Sequence, residues 1–278
     1  MSIPNRFAAA QFFFNADLEA FGATRLDGDD IERILNAEST AELESLTSEG
    51  YVVGRLVTDL GVALARTFHV NGREVRFGLS PKLQELESFT YFSSIVDIDE
   101  DDFDAAEFRS SSSQLNLDVG MSMPITQRWS AGLTVRNLLR HEVSGEPIFS
   151  RQVEDFVTLG YELRPHAAAG LGYSTQRMTL SLDADLTSQN YLGLTNESQR
   201  QVFGDVRQTQ FVRAGYEYNV ARWVQLRLGY RHDLEGTYDD AITAGVGLSP
   251  FGRVHINVSG MYVDDRSFGA GAQLMFTF

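Results

Sequence analysis

The sequence has no cysteine and a single lysine, Lys82. The first absence excludes disulfide scaffolds, thiol catalysis and cysteine-ligated metal. Bases are scarce overall: 23 Lys and Arg stand against 38 Asp and Glu, a formal charge of -15, which argues against nucleic acid as a partner. No uninterrupted apolar run reaches the length of a spanning helix, so a helical membrane protein is excluded. A transmembrane β-barrel is not, because its strands need only every second residue apolar, and a mean hydropathy of -0.19 is blind to that pattern. No secretion signal is expected at the start of this sequence. The apolar stretch of "MSIPNRFAAAQFFFNADLEAF" is short, broken by Gln11 and followed by Asp17 and Glu19, a poor signal core. It reads as a strand, and the export signal is expected to lie outside this chain.

What is present is alternation. In the closing "GAGAQLMFTF", Ala270, Ala272, Leu274, Phe276 and Phe278 share one parity while Gly271, Gln273, Met275 and Thr277 share the other. In "RVHINVSGMYV" (253–263), Val254, Ile256, Val258 and Tyr262 oppose His255, Asn257 and Ser259; 223–233 and 240–249 behave alike. A soluble sandwich or lipocalin-like barrel also alternates, so the connections must decide. Short links (Asn71-Gly72, 124–127, 174–176, 220–222, 249–252) take turns with mostly longer polar ones (about 25–50, 92–112, 140–156, 188–207, 234–239, and a short 264–266). Short periplasmic turns and longer extracellular loops are how outer-membrane barrels are built.

The fold expected is therefore all-β: one antiparallel transmembrane β-barrel domain over 1–278. Strands are predicted near 6–24, 51–70, 73–91, 113–123, 128–139, 157–173, 177–187, 208–219, 223–233, 240–249, 253–263 and 266–278. That makes twelve, with fourteen as the alternative if two are lost at the N-terminus. Within the 25–50 loop, the spacing of Ile31, Ile34, Leu35, Leu43 and Leu46 predicts a short helix over 29–46 capped by Asp29 or Asp30. Trp129, Tyr173, Trp223, Tyr262, Phe276 and Phe278 lie near strand ends, as interfacial girdles do.

If the apolar parity faces lipid, the other lines the lumen, and it carries Arg76, Lys82, Asp118, Arg136, Asp183, Asp185, Arg213, Glu217, Arg227, Arg231 and Asp233. Charges facing a bilayer cost several kcal/mol each, whereas opposite charges in a wet lumen pair. The expectation is a lumen charge network.

"FGLSPKLQELESF" (77–89), "LNLDVGMSM" (115–123), "WSAGLTVRNLL" (129–139), "RPHAAAGLGY" (164–173) and "TLSLDADLT" (179–187) together resemble the conjugal-transfer TraF-like outer-membrane proteins, a group similar in turn to the FadL-like transporters of hydrophobic compounds. The resemblance spans roughly 51–278. It implies a bacterial outer-membrane location, with membrane lipid and lipopolysaccharide as surroundings and the barrel-assembly machinery as partner. Terminal aromatics such as Phe276 and Phe278 resemble the signal which that machinery reads. FadL-like barrels carry a lumen hatch with an Asn-Pro-Ala signature, which does not occur here; a thioredoxin-like conjugation protein shares the TraF label, and this chain lacks the cysteines for thiol exchange.

Three constellations resemble catalytic or metal sites. His255, Asn257 and Ser259 match the residue types of an outer-membrane phospholipase, but they follow one another along a polar face and no oxyanion donor is identifiable. Asp183 and Asp185 with His232 and Asp233 resemble a protease set, but His232 and Asp233 fall on opposite parities. In the run 97–104, Asp97, Asp99 and Asp101 are weak calcium candidates without the glycine turn of an EF-hand; a solvated loop is the plainer reading. No cofactor and no enzymatic role are expected. Function is expected to be that of a channel or transporter-like barrel, with a non-conducting structural barrel in surface assembly or conjugation as the alternative.

Overall fold

In a computed structural model, residues 2–4, 9–36, 46–94, 108–150, 154–249, 254–264 and 267–276 are described. Strand β1 (Ser2–Pro4) precedes β2 (Ala9–Arg25) and helix α1 (Gly28–Asn36). Next come β3 (Glu49–Val70), β4 (Arg73–Ser94), β5 (Arg109–Pro124) and β6 (Trp129–Arg136). A loop region then holds β7 (His141–Ser144), β8 (Ile148–Ser150), β9 (Asp155–Val157) and β10 (Gly160–Leu163). After β11 (His166–Ser174) and β12 (Met178–Asp185), a second one holds β13 (Gln189–Asn190), a 3-10 turn at Tyr191–Gly193, α2 (Asn196–Phe203) and β14 (Gln208–Thr209). The chain closes with β15 (Phe211–Ala221), β16 (Val224–Asp233), β17 (Ala241–Leu248), β18 (Val254–Asp264) and β19 (Ser267–Phe276).

Twelve long strands form one antiparallel meander, β2-β3-β4-β5-β6-β11-β12-β15-β16-β17-β18-β19, with short β1 on the outer edge of β2. Among the described residues no ladder joins β19 to the first strands. The short and long links alternate as the sequence predicts. The β3–β4 link is an Asn71-Gly72 turn with φ of 52° and 77°, the positive pair that matches the twist of a hairpin.

Three strand limits differ from expectation. The predicted strand 157–173 begins only at His166, because Pro165 has no N–H for a ladder; Gly160–Leu163 pairs instead with β7. Strand 128–139 ends at Arg136, where Asn137 turns to a φ of 50°. The start of 208–219 is broken at Gln210, whose N–H is taken by the Asp233 carboxylate, so Gln208–Thr209 pairs with β13. Helix α1 covers only Gly28–Asn36, while 37–45 lie outside the described residues. Its cap is neither Asp29 nor Asp30 but Asp27, whose side chain accepts the Asp29 N–H at 2.9 Å. Asp30 is buried instead, and one of its oxygens accepts the N–H and hydroxyl of both Thr47 and Ser48 at 2.6–3.1 Å, tying the helix to the start of β3.

The two faces of the sheet differ in kind. One presents uncovered apolar side chains strand after strand, with Leu115 72%, Leu228 57%, Ile242 59% and Val258 54% exposed. The opposite face is concave and polar. On β4 the apolar row Leu79, Pro81 and Leu83 gives way to Glu85 and Glu87, and on β5 Leu117 and Leu115 give way to Ser113 and Ser111. Strands of 22 residues extend about 70 Å at a rise of ~3.3 Å per residue. β3 and β4 thus run well past the apolar band on the long-loop side.

The apolar core lies at that end. Inward residues Val53, Val57 and Leu86 of β3 and β4 pack against Val143, Val157, Leu159, Tyr161, Leu163, Leu192, Leu194 and Val202 from the two loop regions. The loops fold back into the mouth of the curved sheet.

Candidate functional site

Lys82 is the centre of the first polar cluster. It lies on the inward parity of β4, 4% exposed, with its Nζ donating to Asp59 Oδ2 at 2.9 Å and Asn137 Oδ1 at 2.8 Å and lying 3.1 Å from Asp118 Oδ1. A lysine this buried keeps its charge only where acceptors replace water, and here there are three. Gln84, one inward position further along, donates to Asp59 Oδ1 and Asn137 Oδ1, both at 2.9 Å, and accepts from Asn116 at 2.9 Å. Its Oε1 also lies 3.2 Å from Nδ1 of the buried His141. Burial lowers the His141 pKa from its ordinary value, against the opposing charge of Asp59. The cluster thereby pins residues 137–141, the start of the first loop region, onto the wall.

The second cluster surrounds Asp185. Arg213 reaches it with two nitrogens, at 2.8 and 3.2 Å, the Phe211 N–H donates at 2.9 Å, and His166 Nε2 lies 3.0 Å away. Arg136 stands opposite His166 in the ladder, and Asp183 opposite Arg213. These groups share a cavity of about 540 Å³ on the concave face with Ser122, Ser130, Thr134 and several glycines. A second cavity, about 590 Å³, lies over β12 to β19, lined by Thr179, Ser181, Thr243, Ser259 and the Arg227–Glu217 pair at 2.8 Å. Arg227 also donates to Asn257 at 2.7 Å.

The eleven lumen charges read from the sequence therefore fall into separate groups. Lys82 and Asp118 belong to the first cluster, Arg136, Asp183, Asp185 and Arg213 to the second, and Glu217 and Arg227 to the pair. Arg231 stacks on Phe211 at 4.8 Å and Tyr238 at 5.6 Å. Asp233 braces the following loop, accepting the N–H groups of Gln210, Glu235, Thr237 and Tyr238 at 2.8–3.2 Å. Arg76 sits at the short-turn end, 3.5 Å from Glu74. Asp97, Asp99, Asp101 and Phe278 lie outside the described residues; Phe276 ends β19. Among the described residues no group of three or more His, Asp or Glu is placed to hold a metal.

The enzyme-like sets are not assembled. His255 Nδ1 meets Ser249 Oγ at 2.7 Å while Asn257 holds Arg227, and Ser259 stands between Gly245 and Gly271. His232 and Tyr230 both bind Asp240, at 2.6 and 2.5 Å, on the outer face away from Asp183 and Asp185.

Sequence reading missed Asp59, Gln84, Asn116, Asn137, His141 and His166. Asp59, Gln84 and Asn116 were legible as polar residues on the inward parity; Asn137 and His141 sit in a loop, where parity carries no information. It also missed the mouth. Seven rings follow one another across it with centroids 5.4–6.2 Å apart: Phe92, Tyr51, Phe21, Phe203, Tyr191, Tyr238 and Phe211. The Tyr238 hydroxyl donates to Glu19 at 3.4 Å, so the loop after β16 reaches strand β2 on the far side. Burial and the Glu19 charge keep that phenol protonated. Tyr161, beneath the ladder, is pushed up to about 12 by burial and donates to the Phe89 carbonyl at 3.0 Å.

The toluene transporter TbuX of Ralstonia pickettii has a similar fold, with a TM-score of 0.53 over 99% of this chain and 80% of that one at 10% identity. A deltaS2S3 mutant of TodX, a monoaromatic hydrocarbon channel, scores 0.52 over 96% and 80% at 11% identity. At such identities the likeness is one of fold. No curated protein matches the chain. The family model described as F plasmid transfer operon, TraF, protein matches residues 1–185, about two thirds of the sequence. With that match over the first seven long strands and part of the polar concave face, the chain belongs to the TraF family.

Proposed function

We propose that the chain is an outer-membrane β-barrel of twelve strands with a channel role and a charged lumen. The observation that carries this reading is the contrast between the faces: an uncovered apolar band outside, and a concave side with cavities of about 540 and 590 Å³ lined by hydroxyls, glycines and ion pairs. In water such a band would be covered; in lipid it is the solvent-facing surface. Two grooves of about 540 and 630 Å³ on the outer face, lined by residues such as Leu64, Phe77 and Leu133 or Leu226, Val246 and Val258, suit acyl chains. Closure of β19 against the first strands belongs to the proposal and is supported by the reach of Tyr238 to Glu19. The solved relatives are named for hydrocarbons, but serines, threonines and an Arg–Glu pair favour small polar or ionic solutes here.

A second reading, a non-conducting barrel, is favoured by the loop core in the mouth, where Leu159, Tyr161 and Leu194 are at most 1% exposed. Planar-bilayer conductance separates the two. The channel reading expects rare, small steps from the intact chain and frequent, larger ones when 188–207 is replaced by a tight turn. Silence from a loop-shortened barrel that still shifts on a heat-modifiability gel would leave the structural reading.

A further inference from the structure

The net charge of -15 hides a strong axial asymmetry. The five short links and the strand ends next to them (62–80, 122–134, 170–182, 218–226 and 244–260) contain seven arginines and one acid, Glu74. The single acid is already engaged, 3.5 Å from Arg76 and 3.9 Å from His69. An arginine lies within each short link or directly after it: Arg73, Arg128, Arg177, Arg222 and Arg253. The first four are exposed; Arg253 lies outside the described residues.

Aromatic residues stand beside these cations on the outer face. Trp129, on the outward parity of β6 with Leu133, directly follows Arg128 and is 45% exposed, and Trp223 directly follows Arg222 in the turn before β16 and is 53% exposed. Trp129 packs on Tyr173 at 5.0 Å, and Arg128 donates to the Tyr173 hydroxyl at 3.4 Å. Arg66 lies over the Phe68 ring at 5.1 Å. Exposed tryptophan and tyrosine at the edge of an apolar band mark the headgroup level of a bilayer. Arginine at that level meets phosphodiesters, which its planar fork binds through paired hydrogen bonds.

We infer that the short-turn end carries an arginine collar that binds anionic phospholipid headgroups of the leaflet it faces. An acidic protein is the competing partner; the placement of Arg66 and Arg128 against outward aromatic rings, rather than across the open end of the sheet, favours lipid. The inference rests on the membrane reading above.

The chain contains two tryptophans, and both sit in this collar, so their fluorescence reports the lipid around it alone. Full-length protein is reconstituted in phosphatidylcholine bilayers containing phosphatidylglycerol, with either lipid brominated in its acyl chains to quench on contact. The collar predicts that brominated phosphatidylglycerol competes for the tryptophans about fivefold better than brominated phosphatidylcholine, the equivalent of the ~1 kcal/mol one arginine gains near an anionic leaflet. The preference shrinks in ~0.5 M salt and disappears in R66Q/R128Q/R177Q/R222Q. The salt series on the unaltered chain serves if that variant does not fold. Equal quenching by the two lipids, or a preference indifferent to both salt and substitution, overturns the collar while leaving the barrel standing. Equal quenching together with arginine-dependent binding of polyglutamate reassigns the collar to an acidic protein. Quenching by neither lipid overturns the membrane reading itself.

Discussion

At the scale of the residue, the only lysine in the chain is also one of its most buried charges, and its partners explain why it is tolerated. Replacing Lys82 with Met leaves Asp59 and Asp118 facing each other without a cation. Breaking a buried pair by removing one partner costs about 3–5 kcal/mol; with Asp118 partly solvated the lower end applies. K82M is expected to lower the temperature of the unfolding shift on a heat-modifiability gel, whereas K82R, which keeps the charge, lowers it less. An unchanged transition in K82M would show that the cluster does not brace the wall. His141 adds a pH dependence. Its folded pKa is lowered from the ordinary 6.5, so the unfolded loop binds the proton more readily. The loop's stability is then indifferent to pH above about 6.5, falls as pH drops below it, and levels off once the folded value is passed. Hydrogen-exchange protection of 137–163, corrected for intrinsic rates, should decline as pH drops below about 6.5 and stay flat in H141N. A flat profile in the unaltered chain would remove His141 from that role.

At the scale of the element, β3 and β4 depend on a close approach beside Lys82. A Cβ on Gly61 would come 2.6 Å from the Phe13 ring, 2.7 Å from the Pro81 carbonyl and 2.9 Å from Lys82 Cβ. The β3–β4 register skips from Gly61↔Lys82 to Leu64↔Leu79, so Pro81, which has no N–H, sits where the ladder lapses. G61A should destabilise the fold by about 1–3 kcal/mol, the range for overpacking. G78A provides the comparison, since its added Cβ meets nothing closer than 3.9 Å. Equal behaviour of the two variants in urea or heat would refute the crowding argument. The same elements show what sequence patterning misses. Period-two alternation located all twelve long strands, yet it ran through Pro165 and Gln210, because hydrophobic parity says nothing about whether an N–H is present or already taken.

At the scale of the whole molecule, charge and apolarity are arranged along two different directions. Across the sheet, apolar residues face out and polar ones in. Along the strands, the short turns carry arginines with almost no acids, while most acids lie toward the long loops. The loop core and the seven-ring ladder then occupy the mouth at the acidic end, while both concave cavities lie within the sheet itself. In the proposed barrel, this distribution joins the two readings in one account: the wall would supply the lumen, and the loops would decide access to it.

The sequence by itself determined the strand count, the inward and outward parities and the alternation of short and long links. Each follows from local periodicity and turn chemistry, which neighbouring residues encode. The tertiary structure alone decided that Lys82 gathers Asp59, Asn137 and Asp118, that Asp233 serves a loop backbone, and that rings from β2, β3, β4, β15, α2 and two connections line up across the mouth. Those contacts join residues up to 219 positions apart, as Glu19 and Tyr238 show. They depend on the curvature of the sheet and the path of its loops, which no local pattern specifies.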